Sequence, residues 1–331
     1  MRTRTHGSPL HGRTVVVTGA ARGLGAAVAR SLGARGARLA LLGLEGGRLR
    51  DVAAASGAEA AAWEVDVTDD AAMADAAREV RSRFGPVSVV VANAGVAQEG
   101  LFADTDPYVW RRVVEVNLVG SAVTARSFLP DLLRTRGYYL QVASLASLGA
   151  TPLMSGYCAS KAGVESFAQS LRAELSPRGV AVGIGYLNWI DTDLFRDADR
   201  PGVLRELRAH MPPPARAVSS AGQVAERLAV AVERRRTSVY VPARLRAVPP
   251  VRACVPPVVT RHARAWLPRL ERDGRIEATG LLGAGGRADE LRDSGPGPDP
   301  RTGGETGPAD EVARGMPPAE GAGPSGVERR P

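Results

Sequence analysis

Residues 14–25, TVVVTGAARGLG, decide how the rest of the chain is read. Thr14–Thr18 is a short β-branched run, apolar enough for a strand covered on both faces. Gly19, Gly23 and Gly25 follow in a Gly-x3-Gly-x-Gly spacing, and 23–35 has the Ala-rich pattern of a helix. Strand, glycine loop and helix N-terminus in that order make an anion site. The glycines let the backbone turn tightly and a pyrophosphate approach, while free N–H groups and the helix dipole favour negative charge. A dinucleotide is the expected ligand.

Working outward, the same alternation recurs. Apolar runs at 38–42, 63–65, 87–92, 138–142, 180–186 and 238–241 are separated by helical stretches at 69–84, 107–134, 155–176 and 222–235. This predicts an α/β fold with a doubly wound parallel sheet. The 331 residues are 44% hydrophobic and 24% charged, which excludes a collagen, a coiled coil or a wholly disordered chain. No run reaches the ~18 apolar residues of a membrane-spanning helix, and two cysteines make no disulfide framework, so a reducing cytoplasm is the expected compartment. Eleven arginines and two acids lie between Arg234 and Arg275, a local balance of +9 against +8 for the whole chain. The main body is therefore close to neutral, and nucleic acid is not an expected partner.

The glycine spacing resembles that of the short-chain dehydrogenase/reductase family, whose loop reads TGxxxGxG. More of the family's pattern follows in order: Asp66 in EVDVTD, Asn93-Ala94-Gly95, Asn117 in VEVNLVG, Ser144 in QVAS, and Tyr157-Cys158-Ala159-Ser160-Lys161 as YxxxK. The spacings of 27 from Asn117 to Ser144 and 13 from Ser144 to Tyr157 also fit, and the resemblance covers residues 12–242. It implies a Rossmann fold and a secondary alcohol or ketone substrate. Catalytic residues would be Ser144, Tyr157, Lys161 and Asn117, with the helix bending at Asn117. Cofactor contacts would come from Gly19, Arg22, Gly23, Leu24, Gly25, Asp66, Val67, Asn93, Ala94, Gly95, Tyr157, Lys161, Ile190 and Thr192. A homodimer or homotetramer on the helices 107–134 and 155–176 is implied as well, and no metal. Leu187-Asn188 stands where the family usually has Pro-Gly.

Part of the chemistry follows from the residues themselves. Tyr157 and Lys161 are four apart on a helix and share a face. A tyrosine titrates near 10, so acid/base work at neutrality requires its phenolate to be favoured, and a nearby ammonium would do that. Ser144 at a strand's carboxyl end can hydrogen-bond a carbonyl or alkoxide. Lys161 is the chain's only lysine, the other 42 cationic side chains being arginine. For the cofactor the resemblance is the guide: Gly43 closes the second strand where NAD-preferring members carry an aspartate, and Arg22, just before Gly23, resembles the basic residue of NADP-preferring members. NADP(H) is the favoured expectation, with NAD(H) next. An intact Ser–Tyr–Lys set argues against a nucleotide-sensing or regulatory binding protein on the same fold.

The expected organisation is a flexible N-terminus (1–11), a catalytic domain (12–245), a basic extension (246–280) and a disordered tail (281–331). In the extension, Val258, Val259, Ala263, Trp266, Leu267 and Leu270 fall on one face beside Arg261, Arg264 and Arg269, with Pro268 expected to interrupt the helix. That face suits docking on its own domain or a subunit neighbour, and also weak contact of residues 246–275 with a membrane surface. The tail holds 12 Gly and 8 Pro among 51 residues and no Phe, Trp, Tyr or Ile, too little apolar surface to offset its ordering entropy.

Overall fold

Runs that are apolar at every position must be covered on both faces, which a parallel sheet between two layers of helices provides. The computed structural model, which describes residues 7–199, 203–209, 211 and 216–293, has that arrangement. Seven parallel strands form one sheet: β1 (Thr14–Thr18), β2 (Arg38–Gly43), β3 (Ala60–Glu64), β4 (Val87–Ala92), β5 (Tyr138–Val142), β6 (Ala181–Leu187) and β9 (Ser238–Val241), in the order β3-β2-β1-β4-β5-β6-β9. The chain winds outward from β1 in both directions, so a crevice opens between the carboxyl ends of β1 and β4. Alternate residues of each strand feed two cores. Val16, Leu42, Val90 and Tyr139 belong to one, and Val15, Val17, Leu41 and Leu140 to the other.

The helices that matter to the crevice are α1 (Gly23–Gly33), α2 (Gly46–Ala55), α4 (Pro107–Val114), α5 (Gly120–Thr135) and α6 (Ser155–Leu175). The stretch expected as one helix over 107–134 is broken at Glu115–Val119 by a π-helical turn, and Asn117 sits in it. Helix α2 carries no amphipathic pattern clear enough to read, since only Leu49 and Val52 among its apolar side chains are buried. A second sheet pairs β7 (Trp189–Asp191) with β8 (Val218–Ser220), and α7 (Asp193–Asp199) follows β7.

Both chain ends depart from expectation. Residues 7–11 of the expected flexible terminus are tied down: Leu10 is buried, and the Ser8 hydroxyl donates to Glu233 at 2.6 Å. Residues 1–6 lie outside the described residues. The extension forms one helix, α10 (Val255–Arg272), that runs through Pro268. Trp266, Leu267 and Leu270 turn onto a cluster with Leu153 and Val203, while Val258 stays exposed. The boundary expected at residue 281 does not hold. Leu281 and Leu282 are buried, and α11 (Gly283–Asp293) packs on α7. Two adjacent leucines and one buried Asp289 outweigh the glycine content there. Residues 294–331 of the expected tail lie outside the described residues. Among the described residues no helix is long and apolar enough to cross a membrane.

Candidate functional site

The glycine loop is shaped by contacts that leave no room for a side chain. Gly19 has φ +63°, and a Cβ there would lie 2.8 Å from the Ala94 Cα. A Cβ on Gly25 would run into the Gly19 carbonyl oxygen. Asn93 fastens this loop to β4: its side-chain amide donates to the Thr18 carbonyl at 2.9 Å, and its backbone N–H donates to the Thr18 hydroxyl at 3.0 Å. The hydroxyl also accepts from the Ala94 N–H at 3.1 Å. Asn93 is thus a clamp between two strand ends.

Arg22 and Gly43 face the same groove, but Arg22 is already paired. Its Nε donates to Glu45 at 2.7 Å and its Nη2 reaches the other oxygen, while Asp193 lies 3.4 Å from Nη1. Hydrogen bonding by Glu45 raises the Arg22 pKa further above its ordinary value. Asp66 accepts from the Thr68 N–H and hydroxyl, both at 2.8 Å, and from Arg112 at 2.6 Å. Burial pushes its carboxyl up, but those donors outweigh burial and hold it below the usual range.

At the other end of the groove, β5 delivers Ser144 and α6 delivers Tyr157 and Lys161. Ser144 and Tyr157 line the same groove, and the Ser144 side chain favours the Tyr157 phenolate. Ser144 also accepts from the Ala146 N–H at 3.1 Å, and Ser147 donates to the Lys161 carbonyl at 2.8 Å, so the 3-10 turn after β5 is locked to α6. The Lys161 amine donates to the Val142 carbonyl at 3.3 Å and lies 5.6 Å from the Tyr157 ring centre. Burial brings the Lys161 amine down to about 8. It pushes the Tyr157 hydroxyl up, opposed by the Ser144 side chain. The depression expected at Tyr157 is therefore not found, because burial exceeds the favourable contacts.

Asn117 is displaced inward by the π-helical turn. Its amide donates to the Val96 carbonyl and the Ser160 hydroxyl, both at 2.9 Å, and its Oδ1 accepts from the Val96 N–H at 2.8 Å. Every hydrogen-bonding atom of that side chain except one lone pair is used in holding the loop after β4 against α6. Ile190 and Thr192 follow β6 and face the groove, with the Thr192 methyl placed to touch any Cβ added to Gly23. The Leu24 and Val67 side chains complete its near wall.

The structure brings every site residue expected from the sequence except Asn117 to one cavity of about 250 Å³. It adds Glu45, two residues beyond Gly43, and residues that the sequence reading missed: Leu282, Gly283, Ala284, Gly285, Gly286 and Asp289 from the C-terminal arm. Arg112 stands between Asp66 and Asp289, at 2.6 Å from each. A second glycine cluster just before ADELRD was the only sequence signal for that arm. The donor set suits a dinucleotide. The cradle around Gly19 and Gly25 has no space for side chains, and a buried ammonium waits at the far end.

A family model for short chain dehydrogenase matches residues 13–201. Dehydrogenase/reductase SDR family member 7B of Bos taurus is 34% identical over 210 residues, 59% of this chain and 65% of its own length. The 3-oxoacyl-[acyl-carrier-protein] reductase FabG of Escherichia coli strain K12 is 29% identical over 60% of this chain and 83% of its own. Among solved structures, a short chain dehydrogenase/reductase from Burkholderia phymatum in complex with NAD superposes with TM-score 0.64 at 27% identity. It covers 72% of this chain and 92% of that one. An alcohol dehydrogenase from the archaeon Thermococcus sibiricus complexed with 5-hydroxy-NADP gives TM-score 0.60 at 26% identity, over 69% and 94%.

Proposed function

The chain belongs to the short-chain dehydrogenase family and uses a nicotinamide cofactor; on that premise we propose that it interconverts a secondary alcohol and a ketone at Ser144, Tyr157 and Lys161. The observation that supports this most is that Ser144, Tyr157 and the chain's only lysine, itself buried, line one cavity. A bound nicotinamide supplies or takes up the hydride.

Tyr157 passes its hydroxyl proton to the carbonyl oxygen in reduction and recovers one in oxidation. Ser144 donates to the same oxygen and orients it. Lys161, when protonated, stabilises the phenolate that Tyr157 becomes, and its three N–H donors leave two for ribose hydroxyls beyond the Val142 carbonyl. Asn117 keeps Val96 and Ser160 fixed, so the floor under Lys161 cannot drift. A protein that only senses the nucleotide would need none of this proton chemistry.

Both NADP(H) and NAD(H) fit, with NADP(H) favoured by Arg22 and by the lack of a carboxylate at Gly43. Because Arg22 must leave Glu45 to meet a 2′-phosphate, the preference should be modest, below about tenfold. The apolar side of α10 is turned inward, which supports docking on its own domain over membrane contact. Tyr108 on α4 and Val119 in the π-helical turn before α5 are exposed, which supports a homo-oligomer through that side. A cytoplasmic location agrees with this reading.

The test is Tyr157→Phe, assayed for hydride transfer to a ketone panel and for cofactor binding. Turnover should fall by about 10²–10⁴-fold with cofactor affinity unchanged. More than a tenth of the wild-type rate would remove Tyr157 from the proton role.

A further inference from the structure

The arm that follows α10 returns across the mouth of the groove. Its backbone is stitched to the loop after Asn93-Ala94-Gly95. Thr279 N–H donates to the Glu99 carbonyl at 2.7 Å, Glu99 N–H donates to the Thr279 hydroxyl at 2.8 Å, and Leu282 N–H donates to the Ala97 carbonyl at 2.7 Å. Beyond those stitches, Leu282 is buried in a small apolar cluster with Ala97, Met154 and Ala198, against which Tyr157, Leu194 and Trp266 pack. Leu282 also lines the cavity that holds Ser144, Tyr157 and Lys161.

At the other end of the arm, Asp289 is buried and receives two hydrogen bonds from Arg112, at 2.7 and 2.6 Å. Arg112 simultaneously holds Asp66 in the groove. Between the two anchors the arm presses on the segment after β7. Gly283 has φ +82°, a Cβ there would lie 3.0 Å from the Leu194 Cα, and Arg287 pairs with Asp197 of α7. A contact that close leaves little slack between arm and α7, so the two define one wall.

We propose that residues 276–293 are the roof of the active site and that Leu282 is a specificity-determining residue, closing with Leu194 the apolar space beside Tyr157 and so limiting the bulk of the carbonyl compound. Leu282 and Leu194 present only hydrocarbon beside Tyr157, so the substrate group received between them is a hydrocarbon substituent of the ketone. The proposal rests on the assignment of Tyr157 as proton donor, and its stitches to Ala97 and Glu99 stand without it.

The experiment measures kcat/KM for a graded set of methyl ketones, from short alkyl to phenyl-bearing, with the full-length chain, Leu282→Ala and Leu282→Phe. A methylene in an apolar pocket changes selectivity by about 10–200-fold. Leu282→Ala should raise the ratio of bulky to small ketone by at least about tenfold, and Leu282→Phe should lower it. A Leu282 that only stabilised the fold would lower all ketones together; an unchanged ratio in both variants therefore overturns the specificity role. Should the wild type transfer hydride to none of them, the assignment of Tyr157 falls, and the roof is judged by hydrogen exchange on the wild-type chain. The Thr279 and Leu282 amides should exchange at least about 100-fold slower than free amides, and more slowly still with saturating NADPH or NADH. Exchange at the rate of an unstructured chain overturns the roof.

Discussion

Two glycine clusters face the same groove, Gly19–Gly25 below it and Gly280–Gly286 above it, and they are held by different partners. The lower one is fixed by backbone. A Cβ on Gly19 or Gly25 would strike main-chain atoms of Ala94 or of Gly19 itself. The upper one is fixed at its edges, Gly283 against Leu194 and Gly286 against Leu281, while around Gly285 a Cβ would meet nothing within 4 Å. Glycine content is nearly the same, yet one cluster is committed by the sheet beneath it and the other by two leucines and a carboxylate. Composition alone does not distinguish a cradle from a loose end; what a missing side chain would collide with does.

The sharpest test of that contrast is a matched pair of alanines. Gly25→Ala should abolish cofactor binding, a loss above about 100-fold by fluorescence titration, since main chain cannot yield to a Cβ. Gly285→Ala should leave binding unchanged and stabilise α11 by up to about 1 kcal/mol. Equal losses in both would mean the two clusters do the same work. Deleting residues 281–331 asks whether the upper cluster is anchored at all. Loss of the buried Leu281 and Leu282 and of the Asp289 partner of Arg112 should destabilise the fold by about 1–3 kcal/mol. That lowers Tm by several degrees in calorimetry; an unchanged Tm would return the arm to the status of a tail.

The next effect belongs to the floor alone. With the Lys161 amine at about 8, kcat/KM for ketone reduction should fall tenfold per pH unit above about 8, because the neutral amine no longer supports the phenolate. A plateau extending to pH 10 would show that Lys161 keeps its proton in the working enzyme. The smallest effect lies at the edge between floor and solvent. Glu45→Gln should free Arg22 and tighten NADPH about tenfold with NADH unchanged, whereas Arg22→Ala should loosen NADPH by no more than about tenfold. A larger loss in Arg22→Ala would show that Glu45 does not compete.

This division also explains what could be read from the chain. The strands, the glycine loop, Asn93, Ser144, Tyr157 and Lys161 are legible because each is tied to a local pattern: an apolar run, a fixed spacing, a helical four-residue step. Residues that act through distant partners left no such trace. Arg112 is an ordinary helix arginine until Asp289, 177 residues on, is folded against it. Two buried side chains make too thin a stripe for α2 to show in the sequence, and three alanines hide the start of β3. The bend at Asn117 was expected only through the resemblance; nothing in EVNLV announces a π-helical turn. The Tyr157 hydroxyl was expected to be lowered by its lysine, and burial, which no sequence displays, reverses the direction.

Lys161 has one more consequence, for handling the protein at the bench. The chain carries a single lysine, 5% exposed, at the end of the groove. At pH 7.5 an ordinary lysine is about one part in a thousand in the free-amine form, whereas an amine at about 8 is roughly a quarter so. Amine-directed reagents therefore find one side chain, already reactive, whose only protection is what lies over it. The mass added at residue 161 counts the open grooves in a sample directly, with no engineered tag and no knowledge of the substrate.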